Sequence, residues 1–384
     1  MKITDVRTIR LRAPIPPEKR LVTRSGLRSY RSAVLVKVET DGGISGVGSC
    51  SGNGAILEVI VERVLKPLVV GVNPCDIEKV WEKAYFAGGV RAFGSRGIGV
   101  VALSGLDMAL WDICGKVENV PIFKLLGGAK RDKVAVYATA LYPEETATVS
   151  KRALAFAEQG FKGVKLKLGF DLAQDMERVR AVRSAVGKNF PIMTDANMGY
   201  ELDTALRAAE VLEECGVFWL EEPLFVEDIE GHAKLKAGSK VPIALGENLH
   251  TRYPFEQFIA RGAVDILQPD VARTGGITEV RQIASLAAAH GLPISLHTWG
   301  DAVALAASLH LSAAIENSIV MELDCTSNPL RTELLTEPLE ARNGRMVPPA
   351  GPGLGIELNP SALERYAYGG DEEISLRQKP LSQR

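Results

Sequence analysis

The sequence contains no CxxC pair, and its five cysteines (Cys50, Cys75, Cys114, Cys215, Cys325) are odd in number and widely scattered. Neither a disulfide framework nor a cysteine metal site is expected of them. Charge of neither sign dominates: a net charge of -2 argues against a general nucleic-acid or membrane-surface binder. No uninterrupted apolar run reaches 18 residues, and the opening MKITDVRTIRL alternates like a strand instead of resembling a signal peptide. A cytoplasmic protein is therefore expected. There is no GxxxxGK[ST] phosphate loop and no GxSxG elbow. GVGSCSG (46–52) lacks the glycine spacing and strand-to-helix setting of a dinucleotide loop, and a hairpin turn is expected there.

What is present is a chain of 384 residues with ordinary globular composition, long enough for two domains or for one large barrel with an attachment. From about residue 134, eight short apolar runs recur: VAVYATA, GVKLKL, PIMTDA, VFWLEEP, PIALGE, DILQPD, PISLH and IVMELD. Amphipathic helical segments lie between most of them, including 148–158, 173–186, 203–214 and 278–290. Strands alternating with helices at this spacing predict parallel βαβ units, and eight of them predict a (β/α) barrel.

The ionisable residues follow the same rhythm. Lys165 and Lys167, then Asp195, Glu221, Glu247, Asp270, His297 and Glu322, each fall in or at the C-terminal end of successive runs. From Lys167 the steps are 28, 26, 26, 23, 27 and 25 residues, about one βα unit each. In such a barrel the C-terminal strand ends share one mouth, where the chemistry of the fold is found. Taken singly, any of these carboxylates reads as a paired residue closing a strand. As a set they demand a partner, because unpaired buried charge costs several kcal/mol per ion. The KLK pair alone would serve equally as a solvated edge strand that discourages aggregation.

Asp195, Glu221 and Glu247 offer three hard oxygen ligands from adjacent strands and no sulfur, which suits Mg²⁺; zinc would be expected to recruit histidines. Asp270 and His297 read as a dyad, the carboxylate fixing the imidazole tautomer and raising its basicity. His232, His290 and His310 lie in or at the end of helical segments, where structural roles are expected. His250 fits a place beside Glu247 or in the core equally well. Trp111 is expected to pack between cap and barrel.

KLK, TDAN, EEP, GEN, the Asp270 and His297 pair, and Glu322 together resemble the mandelate racemase subgroup of the enolase superfamily. ALSGLDMALWDICGK (102–116) with PIFKLLGG (121–128) is similar to the helix and linker that join cap to barrel in that family, and GPGLGIEL (351–358) is similar to the return of the C-terminus. The muconate-cycloisomerase-like branch would carry a lysine on the sixth strand, where this chain has LQPD. The resemblance implies a modified (β/α)7β TIM barrel over residues 126–349. It also implies an α+β capping domain formed by residues 1–125 and completed by about 350–384.

The resemblance further implies Mg²⁺ bound by Asp195, Glu221 and Glu247, a small-molecule carboxylate substrate, and a homo-oligomer. Lys165 and Lys167 would border one face of the substrate and His297 with Asp270 the other. Lys167 would be a general base, its pKa lowered by about 2 units by the neighbouring Lys165 ammonium. Lys165 would also pair with the substrate carboxylate, Glu322 would be protonated to hydrogen-bond the enolic oxygen, and Asn197 would be a polar contact near the metal.

A base on each face permits two outcomes: reprotonation from the opposite side gives a 2-hydroxyacid racemase, and loss of a β-hydroxyl gives a dehydratase yielding a 2-keto-3-deoxy acid. By family analogy the cap loop PIPPEKRLVTRSGLRSYRS (14–32) closes on the distal end of the substrate. It carries Lys19, Arg20, Arg24, Arg28, Tyr30 and Arg31. A solvated basic loop would look the same for any single arginine, but together they favour a polyhydroxylated or dianionic substrate. Ser49, Ser51 and Asn53 in the second cap loop agree. The expected activity is an acid-sugar dehydratase, with the racemase as alternative. A metal-dependent barrel isomerase or aldolase and a non-catalytic binding barrel are more distant readings.

Overall fold

The computed structural model describes residues 1–24, 26–86 and 90–370. The part of the expected C-terminal return beyond residue 370 lies outside the described residues, as does Ser25 of the cap loop.

The N-terminal region is built on three antiparallel strands, β1 (Ile3–Pro14), β4 (Tyr30–Thr40) and β5 (Ser45–Cys50), in the order β1-β4-β5. A small hairpin of β2 (Leu21–Thr23) and β3 (Gly26–Arg28) hangs between β1 and β4 and carries the basic cap loop. β4 reads YRSAVLVKVET, and its β-branched run suits a central strand that is half or wholly buried. GVGSC is therefore strand and not the expected hairpin turn. The turn precedes it at residues 41–44, and the glycines serve packing. A Cβ at Gly46 would lie 2.1 Å from the Ala109 carbonyl oxygen, and one at Gly48 would lie 2.0 Å from that of Gly105. The 20-residue helix Ile98–Val117 thus presses directly on the strand backbone. That helix is long and apolar enough to cross a membrane by composition alone, but 94% of its most apolar window is buried inside the protein.

The C-terminal region is a curled parallel sheet of seven strands: β6 (Val134–Leu141), β7 (Val164–Lys167), β8 (Ile192–Asp195), β9 (Trp219–Glu221), β10 (Ile243–Leu245), β11 (Ile266–Leu267) and β12 (Met321–Asp324). β12 pairs with β6, so the sheet curls back on its first strand. The seventh expected run, PISLH, contributes only isolated bridges from Ile294 to Leu267 and to Ser318. Pro293 there has no N–H to give to a ladder, although its carbonyl accepts from Leu267 N at 3.1 Å. A short antiparallel strand, β13 (Arg345–Met346), covers the start of β6. Helices Thr146–Glu158, Leu172–Val186, Leu202–Glu214 and Gly276–Ala289 occupy the expected connections.

Cap and barrel meet through buried hydrogen bonds. Trp111 donates to Thr278 Oγ1 at 2.9 Å, Trp81 to the Gly275 carbonyl at 2.8 Å, and Gly275 N to Ser104 at 2.8 Å. The C-terminal segment returns to the cap, with Leu354 N donating to Asp112 at 2.8 Å and Tyr368 N to the Arg10 carbonyl at 2.9 Å. His310 reaches the Leu354 carbonyl of that returning segment at 3.0 Å, and His232 makes a local bond to the Asp228 carbonyl at 2.8 Å.

Candidate active site

Parallel register brings the ionisable groups together. Lys167 on β7 is paired with Asp195 on β8, and Asp195 with Glu221 on β9. Glu247 and Asp270 follow β10 and β11 within three residues, His297 follows the Ile294 bridges, and Glu322 lies in β12. All eight side chains expected from the sequence converge on the mouth, and none is more than 8% exposed.

Ligand atoms of Asp195, Glu221 and Glu247 all lie within 4.8 Å of one another. Three buried carboxylates this close, with no sulfur among them, fit a small hard cation. The shell around them is fixed by donors. Glu221 accepts from Lys165 at 2.8 Å, from Gln268 Nε2 at 2.8 Å and from Trp219 Nε1 at 3.3 Å. Glu247 accepts from the amides of Asn197 at 3.3 Å and Asn248 at 3.2 Å. The loops leaving β8 and β9 hold Asn197, Met198 and Glu222 at φ of 42°, 59° and 37°. Such left-handed conformations cost on the order of 1–3 kcal/mol each and cluster at functional sites.

On one side of the triad Lys167 bonds Asp195 and, at 3.2 Å, Asn197 Oδ1. On another side His297 places Nε2 2.7 Å from Glu247 and Nδ1 2.6 Å from Asp270. Lys165 sits deeper, 2.8 Å from Glu221, 2.9 Å from Glu322 and 3.6 Å from Asp195.

The electrostatics differ from the sequence expectation in two places. Burial and Lys165 do push the Lys167 pKa down, but Asp195, Tyr142 and Glu247 together outweigh them and hold it above the ordinary lysine value. Glu322, expected to be protonated, is instead held down at about 2: burial would raise it, but Lys165 and His297 prevail. Glu322 accepts from Thr139 at 2.5 Å and from Thr298 N at 3.1 Å, as an ionised carboxylate does. Burial lowers the His297 pKa, yet Glu247 and Glu322, with the Asp270 bond, bring it up to about 10. Burial raises Glu221 to about 7 despite Lys165.

The cap residues divide. Arg28, Tyr30, Ser51 and Asn53 line a cleft of about 590 Å³ together with Asp270 and His297. Arg24 and Arg28 line a second hollow of about 220 Å³ that contains Lys167, Asn197 and Glu247. Lys19 and Arg20 line a side cavity away from the acids, beside Tyr142 and Arg152. Arg31 is buried, bonds Asp324 at 3.0 Å, and stacks on Trp299 at 4.1 Å from the ring centre. It fastens the cap to the end of β12 while also lining the larger cleft. Ser49 bonds Asp301 at 2.5 Å, and Asn53 caps the helix Gly54–Val59 through Ile56 N.

Sequence reasoning missed Arg273, Gln268, Asn248 and Trp299. Arg273 lies 3.5 Å from Asp270 and 4.0 Å from Glu247. Its place three residues after a strand-end acid was the available signal.

Comparison with known proteins agrees with this geometry. Residues 6–127 match the family described as mandelate racemase / muconate lactonizing enzyme, N-terminal domain, and residues 148–362 match enolase C-terminal domain-like. A D-galactarolactone cycloisomerase from Agrobacterium fabrum is 41% identical over 95% of this chain and 99% of its own. An arabinonate dehydratase from Saccharolobus solfataricus is 37% identical over 95% of this chain and 99% of its own. Among solved structures, a racemase from Streptomyces coelicolor A3(2) with bound magnesium superposes with a TM-score of 0.86. It is 31% identical and covers 95% of this chain and 100% of its own. The strand-end ladder, the capped barrel and these matches agree: the chain is an enzyme of the enolase superfamily, in its mandelate racemase subgroup.

Proposed function

We propose that this enzyme removes the proton α to the carboxylate of an acid sugar and expels the β-oxygen, giving a 2-keto-3-deoxy acid from an aldonate or aldarate. The observation that carries the proposal is the pair of proton-bearing groups on either side of one acidic triad, Lys167 at Asp195 and His297 at Glu247. Magnesium held by Asp195, Glu221 and Glu247 would supply positive charge to the substrate carboxylate and so acidify the α-proton. Lys167 takes that proton. For this it must first lose its own proton to solvent, and a cation held by Asp195 would offset the carboxylate charge that keeps Lys167 protonated, leaving burial and Lys165 to favour the neutral amine. His297, oriented through Nδ1 by Asp270, gives the proton from Nε2 to the departing oxygen. Lys165, shared between Glu221 and Glu322, is the ammonium set to offset charge growing on the substrate carboxylate. The buried mouth and the cap loop keep water from competing.

A second reading differs only in the leaving group. If the β-oxygen belongs to a lactone ring, the same two proton transfers open the ring without releasing water, and the cycloisomerase relative favours including that case. The test is a panel of aldonates, aldarates and their lactones with Mg²⁺, read by semicarbazide for 2-keto acids and by exchange of the α-proton in D₂O. Exchange with inversion and no 2-keto acid would instead establish the racemase. No exchange with any member would defeat the enolisation mechanism.

A further inference from the structure

The cap-side wall of the cleft has a composition that the acid-sugar proposal leaves unused. Both hollows share Arg28, Asn248, Arg273, His297 and Trp299, so they form one continuous cleft. One end is lined by Lys167, Asn197 and Glu247, where the reacting carboxylate belongs. Toward the cap the lining passes to Arg28 and Arg273. Arg273 has its acids at 3.5 and 4.0 Å. Arg28 differs: among the described residues it forms no ion pair, and its only ring contact is Trp299, 5.9 Å from the indole centre. Its guanidinium is partly shielded from water, which lowers its pKa first, and the charges of Arg31 and Arg273 lower it further. Arg28, Arg31 and Arg273 therefore lie close together where the described residues provide a carboxylate to Arg31 and Arg273 but none to Arg28. His250, also on this wall, is held neutral with a pKa of about 4 by burial and Arg273 and brings no countercharge.

We infer that this wall is a second carboxylate subsite, so that the substrate is a dianion carrying a carboxylate at each end: an aldarate, or a lactone of one with its far carboxylate free. The inference rests on the acid-sugar proposal and narrows it. A planar guanidinium receives a carboxylate in two parallel hydrogen bonds, and Arg28 has that fork free toward the cleft. A neutral hydroxymethyl end, as in an aldonate, would leave Arg28 and its neighbours repelling one another across a cleft that closure makes drier.

The test separates binding from turnover. In Lys167→Ala protein with Mg²⁺, which binds without consuming substrate, calorimetry should find an aldarate bound about tenfold or more tighter than the aldonate of the same configuration. Adding Arg28→Gln should bring the two acids to within about threefold, while Arg28→Lys, which keeps the charge but loses the fork, should fall between. Equal affinities before the Arg28 change, an equal loss for both acids after it, or no binding of either acid would overturn the inference. Formation of 2-keto acid by unaltered enzyme is read separately. If none forms although the aldarate preference holds, the elimination chemistry fails and the subsite stands.

Discussion

The barrel mouth and the cap-side wall face each other across one cleft and are built on opposite plans. At the mouth every functional side chain but His297, which follows the Ile294 bridges, lies in or just beyond a strand, all are at most 8% exposed, and most hold two or more polar partners. On the wall Arg28 is exposed and rides on a three-residue strand of a hairpin. The difference separates two tasks. Proton transfer needs groups held within a fraction of an ångström, which a sheet provides. Discrimination between substrate ends needs a surface that can vary and close, which a loop provides.

The contrast is broken most severely at the mouth. His297→Asn and Lys167→Ala should each lower 2-keto acid formation by about a thousandfold or more, mainly in kcat, with the far-UV circular dichroism unchanged. A loss confined to KM would mean that these groups bind and do not transfer protons. By contrast, Arg28→Gln should act through KM on a diacid and spare kcat within a few-fold.

Much of the mouth was legible in the sequence because parallel register and a repeat of about 26 residues convert spacing into position. Asp195, Glu221 and Glu247 needed no knowledge of packing to be placed together. Protonation states were not legible: the Lys165–Lys167 repulsion is local and visible, but the Asp195 and Glu247 charges that help overrule it come from other strands. The cap was read least well. Six basic or aromatic residues in one loop looked alike, yet Arg31 turns inward to Asp324 while Lys19 and Arg20 face a side cavity. Alternation along a short loop does not determine which way each side chain points.

Within the cap, the contact between sheet and helix is the next largest lever. Gly48→Ala places a methyl group 2.0 Å from the Gly105 carbonyl oxygen, and backbone on both sides must move. A loss of about 3 kcal/mol is expected, seen as a lower urea midpoint at constant slope. Arg31→Ala should cost less, about 2 kcal/mol, because Asp324 loses its cation but keeps Thr326 N at 2.9 Å and Asn328 at 3.3 Å. It should also raise KM a few-fold by loosening the hairpin that bears Arg28. An unchanged KM would show that the hairpin's position does not depend on this fastening.

The last effect, absent near neutral pH, concerns the joint between the two regions. His310, on the helix Ala302–Ala314, faces the returning segment at Leu354 and accepts from Phe123 N at 3.4 Å. Burial lowers its pKa to about 4, against about 6.5 for a free imidazole. Between those values the unfolded chain binds a proton that the folded chain refuses. The stability this histidine contributes is therefore complete above about pH 6.5 and is lost as the pH falls toward 4, at up to about 1.4 kcal/mol per pH unit. His310→Gln, which keeps a donor and an acceptor and cannot titrate, should flatten that part of the curve of Tm against pH without changing kcat at pH 7.5. If the slope persists in the variant, acid weakens the protein elsewhere, and the joint between cap and barrel is not where the two regions come apart.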